Sequence, residues 1–517
     1  MRAAQKEREM DGRVLAERLL AYARAHLHLE EEDAAYARNA LLTFLRLPAP
    51  AKEAAGAVPD SPDPLAEELS AYALENGLCA AGEEERFWTD MLGALTPLPS
   101  VINREFFRRK EERGAQAACD YLYDLSVKNG YVRASAIARN LKWEYDDGKC
   151  GLEITVNLSK PEKSNKDIAK LLTAPQGEKY PACALCPENE GFAGTATHPP
   201  RRNLRTVKLT LGGERWFLQY SPYAYYDEHC IAINERHVPM RVDGTTPQKL
   251  LDFVDALPNY FIGSNASLPV VGGSILNHEH FQGGRHLMPM HRAKLRTEYA
   301  GADFPSLRIG VLDWYNSAVQ CEGEDAAQVA AFAGKVIEGW RGFDCPSCDI
   351  LSHTGGTPHN TCSLSCRREG KKYIFTVILR NNRADGRYPD GIFHVHPEHL
   401  NIKSESIGLI EAMGLFILPP RLKRQFAAIE EILCGDAAYD PAALSDPAAD
   451  LYVHRGMIEE LLRGGRAETP AEAEARVREY VGRACTEILD NTAVFKNDEN
   501  GRRGFASFLS SLGLKEK

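Results

Sequence analysis

Two His-x-His tripeptides constrain this chain more than any other feature. His278-Glu279-His280 and His394-Val395-His396 start 116 residues apart, and each closes an apolar, glycine-bearing run that reads as a short strand. The first strand is expected at 270–276, with glycines that admit close backbone neighbours. Alternate residues of a strand share a face, so His278, His280 and Gln282 would aim two imidazoles and a carboxamide at one point. Gly283-Gly284 then releases the chain. A helix-like stretch precedes each unit, at about 247–261 and 326–340. Strands that cluster between helices, twice over, predict an α+β fold with a repeated unit.

The rest of the 517 residues arranges itself around that pair. Residues 1–130 read as a helical region: Leu15, Leu19, Leu20, Ala23 and Leu27 keep helical spacing within 1–47. A Pro/Ala-rich linker at 48–64 and helices at about 65–76 and 103–128 follow. Residues 131–300 form the first strand-rich unit. There Leu152, Ile154, Val156 and Leu158 alternate with polar residues, and further strands are expected at 204–211, 215–220 and 229–234. The second unit, 301–420, offers a strand at 373–380 and a helix at 406–418. From 421 to 517 the chain turns helical again, most clearly at 452–462 and 470–489.

Composition narrows the functional classes. Net charge is −10, which argues against nucleic acid and anionic membrane surfaces as partners. No apolar run reaches 18 residues and the first residues are charged, so neither a transmembrane helix nor a secretory signal is expected. The expected location is the cytoplasm. Thirteen cysteines, several of them in Cys-x-x-Cys pairs beside histidines, then point to metal ligation rather than disulfides.

Cys183-Ala184-Leu185-Cys186 can bring two thiolates to one ion from a tight turn. On spacing alone, His198, His229, His237 and His278 all compete for the other two places, with His237 and His278 best placed; reduced thiols and ordinary loop histidines are the alternative. A second group, Cys345, Cys348, His353, His359, Cys362 and Cys366, falls within 22 residues and looks like a zinc knuckle or a set of free thiols.

Several segments resemble the galactose-1-phosphate uridylyltransferases of the second, bacterial type. They are Cys183-Ala-Leu-Cys186-Pro-Glu-Asn189-Glu190-Gly191, Gln219–Tyr223, Gly263–Ala266, the stretch 272–284, Thr357–Thr361 and 388–402, all in family order. The resemblance implies duplicated histidine-triad-like domains with helical regions at both ends. It implies uridylyl exchange between UDP-glucose and galactose 1-phosphate by a ping-pong route through a uridylyl-histidine. His280 maps onto the nucleophile and Gln282 onto the glutamine that binds the phosphoryl group. Cys183, Cys186, His237 and His278 map onto a structural zinc site, and Asn265, Gly273 and Ser274 onto substrate-binding positions. His394 and His396, with His359 as a third ligand, are candidates for a second metal. A homodimer is expected by analogy. This chain departs from the better-known branch in having Glu279 where that branch has proline, and 408–416 lacks the expected lysine and tyrosine.

Other functions compete. Within enzymes, the alternative is another histidine-nucleophile nucleotidyltransferase or a dinucleoside polyphosphate phosphorylase. A metallohydrolase would need a water-activating carboxylate, and Glu279 should point away from the histidines. Outside enzymes stands a zinc-stapled binding protein, in which every histidine is a ligand.

Overall fold

The computed structural model describes residues 11–52, 56–159, 180–195 and 198–517. Residues 1–10 of the first expected helix and 53–55 of the linker therefore lie outside the described residues.

Strands β1 (Leu141–Tyr145) and β2 (Leu152–Val156) form a hairpin outside the main sheet. The next five are β3 (Val207–Leu211), β4 (Glu214–Tyr220), β5 (Cys230–Asn234), β6 (Phe261–Ser264) and β7 (His280–Gly284). Then come β8 (Leu295–Gly301), β9 (Arg308–Leu312), β10 (Ala318–Gly323), the two-residue β11 (His353–Thr354) and β12 (Thr357–Pro358), β13 (Asn360–Glu369) and β14 (Lys372–Asn381). Strands β15 (Leu415–Leu418) and β16 (Leu514–Glu516) complete the set. Eleven of them build one antiparallel sheet in the order β16-β8-β9-β10-β14-β13-β6-β7-β5-β4-β3.

That order contains the same five-strand unit twice. β3-β4-β5 is a meander; the helix Thr246–Ala256 follows; β6 and β7 then pair, with β7 beside β5. β8-β9-β10, the helix Ala326–Arg341, β13 and β14 repeat this, with β14 beside β10. The units meet where β6 pairs with β13 through Ser264–Leu364, Gly263–Ser365 and Ile262–Cys366. The fold is thus α+β with the duplication expected of the histidine-triad-like class, but the two units share one continuous sheet.

The helices between strands bury one face of the sheet, around Trp216, Phe281, Phe332, Trp340 and Phe375. The N-terminal helices Gly12–His26, Ala34–Phe44, Asp63–Glu75, Glu84–Leu95, Pro99–Arg113 and Ala115–Lys128 join the same core. Two of the expected helices are broken where the backbone goes left-handed. His28 at φ 56° ends the first, and Gly114 at φ 89° splits 103–128 into two. Buried Arg205 ties this layer to the sheet by donating to the carbonyls of Gly93, Thr96 and Pro97 past the end of a helix. Burial pushes its guanidinium down to about 10. No described helix is long and apolar enough to cross a membrane.

Three expectations fail locally, each for a visible reason, and one open choice is narrowed. Residues 270–276 are a loop: Val270 sits at φ 73°, which a strand cannot contain, and β7 begins only at His280. Residues 391–397 are also irregular, with Gly391 at φ 127° and His396 turned back onto the Ile392 carbonyl at 3.0 Å. The run 406–418 is a four-residue helix, Leu409–Ala412, then a turn at Gly414 (φ 97°), then β15. β15 pairs in parallel with β2. Short apolar runs do not distinguish helix from strand. Finally, the second cysteine group does not converge. Cys345 and Cys348 flank a surface 3₁₀ turn, whereas Cys362 and Cys366 point from β13 into the core.

Candidate active site and metal centre

The segment 276–279 and the loop after β5 hold each other edge to edge. Met240 N–H donates to the Leu276 carbonyl (2.8 Å), Glu279 N–H to Val238 (2.7 Å) and Asn234 N–H to Glu279 (3.0 Å). This lacing places His278 and His237 over the Cys183–Cys186 turn. The turn itself is fixed by buried Asn189, whose amide donates to both cysteine carbonyls at 2.8 and 2.9 Å.

Cys183, Cys186, His237 and His278 bring four donor atoms within 4.8 Å of one another. The sulfurs are 3.5 Å apart; His278 Nδ1 is 3.2 Å from Cys183 Sγ, and His237 Nδ1 is 3.0 Å from Cys186 Sγ. Tetrahedral zinc with two sulfurs and two nitrogens would separate its ligands by about 3.3–3.8 Å, close to this spacing. The protonation pattern also fits. His278 Nε2 is 2.8 Å from the Asn234 carbonyl, which only accepts, so the proton lies on Nε2 and the Nδ1 lone pair faces the thiols. Burial, with the Cys183 thiol beside it, pushes the Cys186 thiol up to about 12, so a cation is what would make it a thiolate. The other two candidates are engaged elsewhere: His198 packs on Phe192, and His229 binds Gln282. Among the described residues no other such group forms; His359 bonds Asn382, and His396 stacks on Tyr388.

His280 is the first residue of β7 and is 6% exposed. Its Nδ1 lies 2.8 Å from the His278 carbonyl, which assigns the proton to Nδ1 and leaves the Nε2 lone pair unused. Burial holds its pKa below the ordinary histidine value, so the ring is neutral at pH 7. Gln282 sits two residues along on the same face, its Oε1 3.0 Å from His229 Nε2. Gly283 is required by β6: a Cβ there would stand 2.4 Å from the Phe261 carbonyl oxygen.

Glu279 points to the rear, as strand alternation demands. Its carboxylate meets Lys249 Nζ and Asn234 Nδ2, both at 2.8 Å, beside the Trp216–Phe281 stack. No carboxylate in this motif is placed to activate water.

His280 and Gln282 open into a cavity of about 630 Å³. Asn265, Gly273 and Ser274 line it too, though Asn265 Oδ1 is already accepting from Leu409 N–H at 2.8 Å. The opposite wall comes from the segment after β14: Lys403, Glu405, Gly408–Glu411 and Ile417–Pro420. Lys403 Nζ lies 3.1 Å from Glu411; burial works against its charge, but Glu411 and Glu405 hold its pKa above the usual lysine value. Sequence reasoning missed Lys403, Glu411 and Tyr225 and weighed His229 only as a metal ligand, because they reach the cavity from segments that no motif spans. Lys403 carried the nearest signal, lying seven residues after the second His-x-His.

Comparison with known proteins follows this geometry. The family profile described as Galactose-1-phosphate uridyl transferase, N-terminal domain, matches residues 29–239. A galactose-1-phosphate uridylyltransferase of Caldanaerobacter subterraneus subsp. tengcongensis is 40% identical over 513 residues, covering 97% of this chain and 98% of its own. Those of Fusobacterium nucleatum and Bacillus subtilis are each 37% identical, over 96% of this chain and 98% and 97% of theirs. A crystal structure of yeast Ap4A phosphorylase Apa2 aligns with 65% of this chain and 90% of its own, at 11% identity and a TM-score of 0.31.

Proposed function

We propose, from the premise that this chain belongs to the galactose-1-phosphate uridylyltransferase family, that it exchanges uridylyl between UDP-glucose and galactose 1-phosphate through His280. The observation that carries this reading is the hydrogen bond from His280 Nδ1–H to the His278 carbonyl, which leaves Nε2 as a neutral nucleophile at a cavity of substrate size. Nε2 attacks the α-phosphorus, and the bond to glucose 1-phosphate breaks with its electron pair leaving on that phosphate. The ring becomes a uridylyl-imidazolium whose Nδ1–H still donates to the carbonyl. A phosphate oxygen of galactose 1-phosphate then attacks phosphorus and returns the electron pair to Nε2.

Gln282 would donate its amide N–H to the non-bridging oxygens, where charge grows. Lys403 and Glu411, across the cavity, are suited to a phosphate and to sugar hydroxyls respectively. Zinc would be held by Cys183, Cys186, His237 and His278, where it supplies structural cross-linking that fixes the backbone carrying the His278 carbonyl.

Incubation with UDP-glucose alone, followed by acid-free quenching and intact mass measurement, is expected to reveal protein heavier by about 306 Da, the mass of a covalent uridylyl group. Its absence from active protein would mean direct transfer between the two substrates.

A further inference from the structure

We infer that His229 is a positioning residue, which fixes the Gln282 amide with its N–H groups facing the cavity. The inference rests on the role proposed above for Gln282. His229 precedes β5, on the cavity side of the sheet, and is 2% exposed. Tyr225 stacks on its ring at 5.1 Å, Tyr226 packs at 4.7 Å, and its carbonyl accepts from Ser221 N–H at 2.8 Å. The ring is therefore packed against two aromatic neighbours and fixed at its backbone.

The two ring nitrogens have different surroundings. Nε2 is 3.0 Å from Gln282 Oε1, while Nδ1 is buried without a hydrogen-bond partner. A proton on Nδ1 would be a buried donor with no acceptor, a costlier defect than an unused lone pair. The proton therefore belongs on Nε2. Burial pushes the His229 pKa down to about 4, so there is only one proton to place. Nε2–H can donate only to an oxygen, so Gln282 must turn Oε1 to the histidine and its nitrogen away from it. Without this bond the amide can rotate by half a turn at little steric cost, presenting oxygen to the phosphoryl oxygens it should bind.

The test is a double-mutant cycle. His229→Phe keeps an aromatic ring against the two tyrosines and removes the donor. It is expected to lower kcat by about 10–10²-fold, less than complete loss of the glutamine donor, with a smaller change in KM for UDP-glucose. In a Gln282→Ala background the same change should alter kcat by less than about twofold, because its only route of action is gone. His229→Gln, which keeps an N–H donor, should recover much of the loss. If His229→Phe does not fold by circular dichroism, His229→Leu replaces it. Multiplying losses in the double variant, or wild-type kcat in His229→Phe, would overturn the inference while leaving the Gln282 assignment intact. Wild-type kcat in Gln282→Ala would overturn both.

Discussion

The two five-strand units have the same strand order, yet only the first carries the histidine proposed to react. In the first, β7 bears His280 and Gln282, and the loops around it gather four metal-ligand side chains. In the second, β14 occupies the equivalent place and contains no histidine between Lys372 and Asn381. Its His-x-His comes 13 residues after that strand ends, in a loop where the rings bond nearby carbonyls or stack on Tyr388. The segment that follows β14 supplies a wall instead, with Lys403 and Glu411 lining the cavity that His280 and Gln282 also line. Repetition here furnishes a symmetrical frame, and the proposed reacting side chains occupy one copy of it while the chain beyond the other closes the cavity.

The largest effect should come from His280→Ala. Exchange is expected to fall by at least about 10³-fold in a coupled assay for glucose 1-phosphate, with the circular dichroism spectrum retained. Exchange persisting near the wild-type rate would break the asymmetry at its centre. Next, Cys183→Ser with Cys186→Ser should abolish bound zinc and lower the thermal midpoint, whereas Cys345→Ser with Cys348→Ser should leave metal content unchanged. Elemental analysis of the two purified variants separates a metal centre confined to the first unit from one in each.

A smaller effect involves pH and belongs to neither unit alone. Burial lowers His229 to about 4, His454 to about 4 and His291 to about 3. Unfolding frees each to take a proton near pH 6.5, so stability is intact above that value and falls as pH drops towards 4. Each histidine contributes a slope of roughly 1.4 kcal/mol per pH unit across that window, measurable by urea unfolding at pH 7 and pH 5.5. A flat profile would mean that these rings are not buried neutral. The smallest effect is expected from His394→Ala with His396→Ala, which should keep exchange within about threefold and metal content unchanged. A loss matching that of His280→Ala would restore equality between the units.

What could be read from the sequence follows from how local each signal is. Clean periodicity located β2, β4, β5 and the helices Ala326–Arg341 and Pro470–Thr492 to within a few residues. The grouping of Cys183, Cys186, His237 and His278 was legible because two ligands lie in one turn and two beside strand ends. Glycine-rich apolar runs misled, since Val270 and Gly391 adopt backbone angles that hydrophobicity does not report. Spacing failed at Cys362 and Cys366 as well: four residues apart in β13, they share a face of a strand that is buried on both faces there. The cavity wall from Lys403 to Pro420 was invisible because tertiary packing alone brings it there.

Glu279 shows what a proline between the two histidines would cost this chain. Its N–H is committed to Val238, and its carboxylate balances Lys249, a side chain only 14% exposed. A proline between the histidines would remove that donor and leave the Lys249 ammonium with Glu214 as its one remaining carboxylate partner among the described residues, at 2.9 Å. The reactive tripeptide is accordingly no portable cassette: moved between branches, it would need its neighbours on the helix and the preceding loop to travel with it.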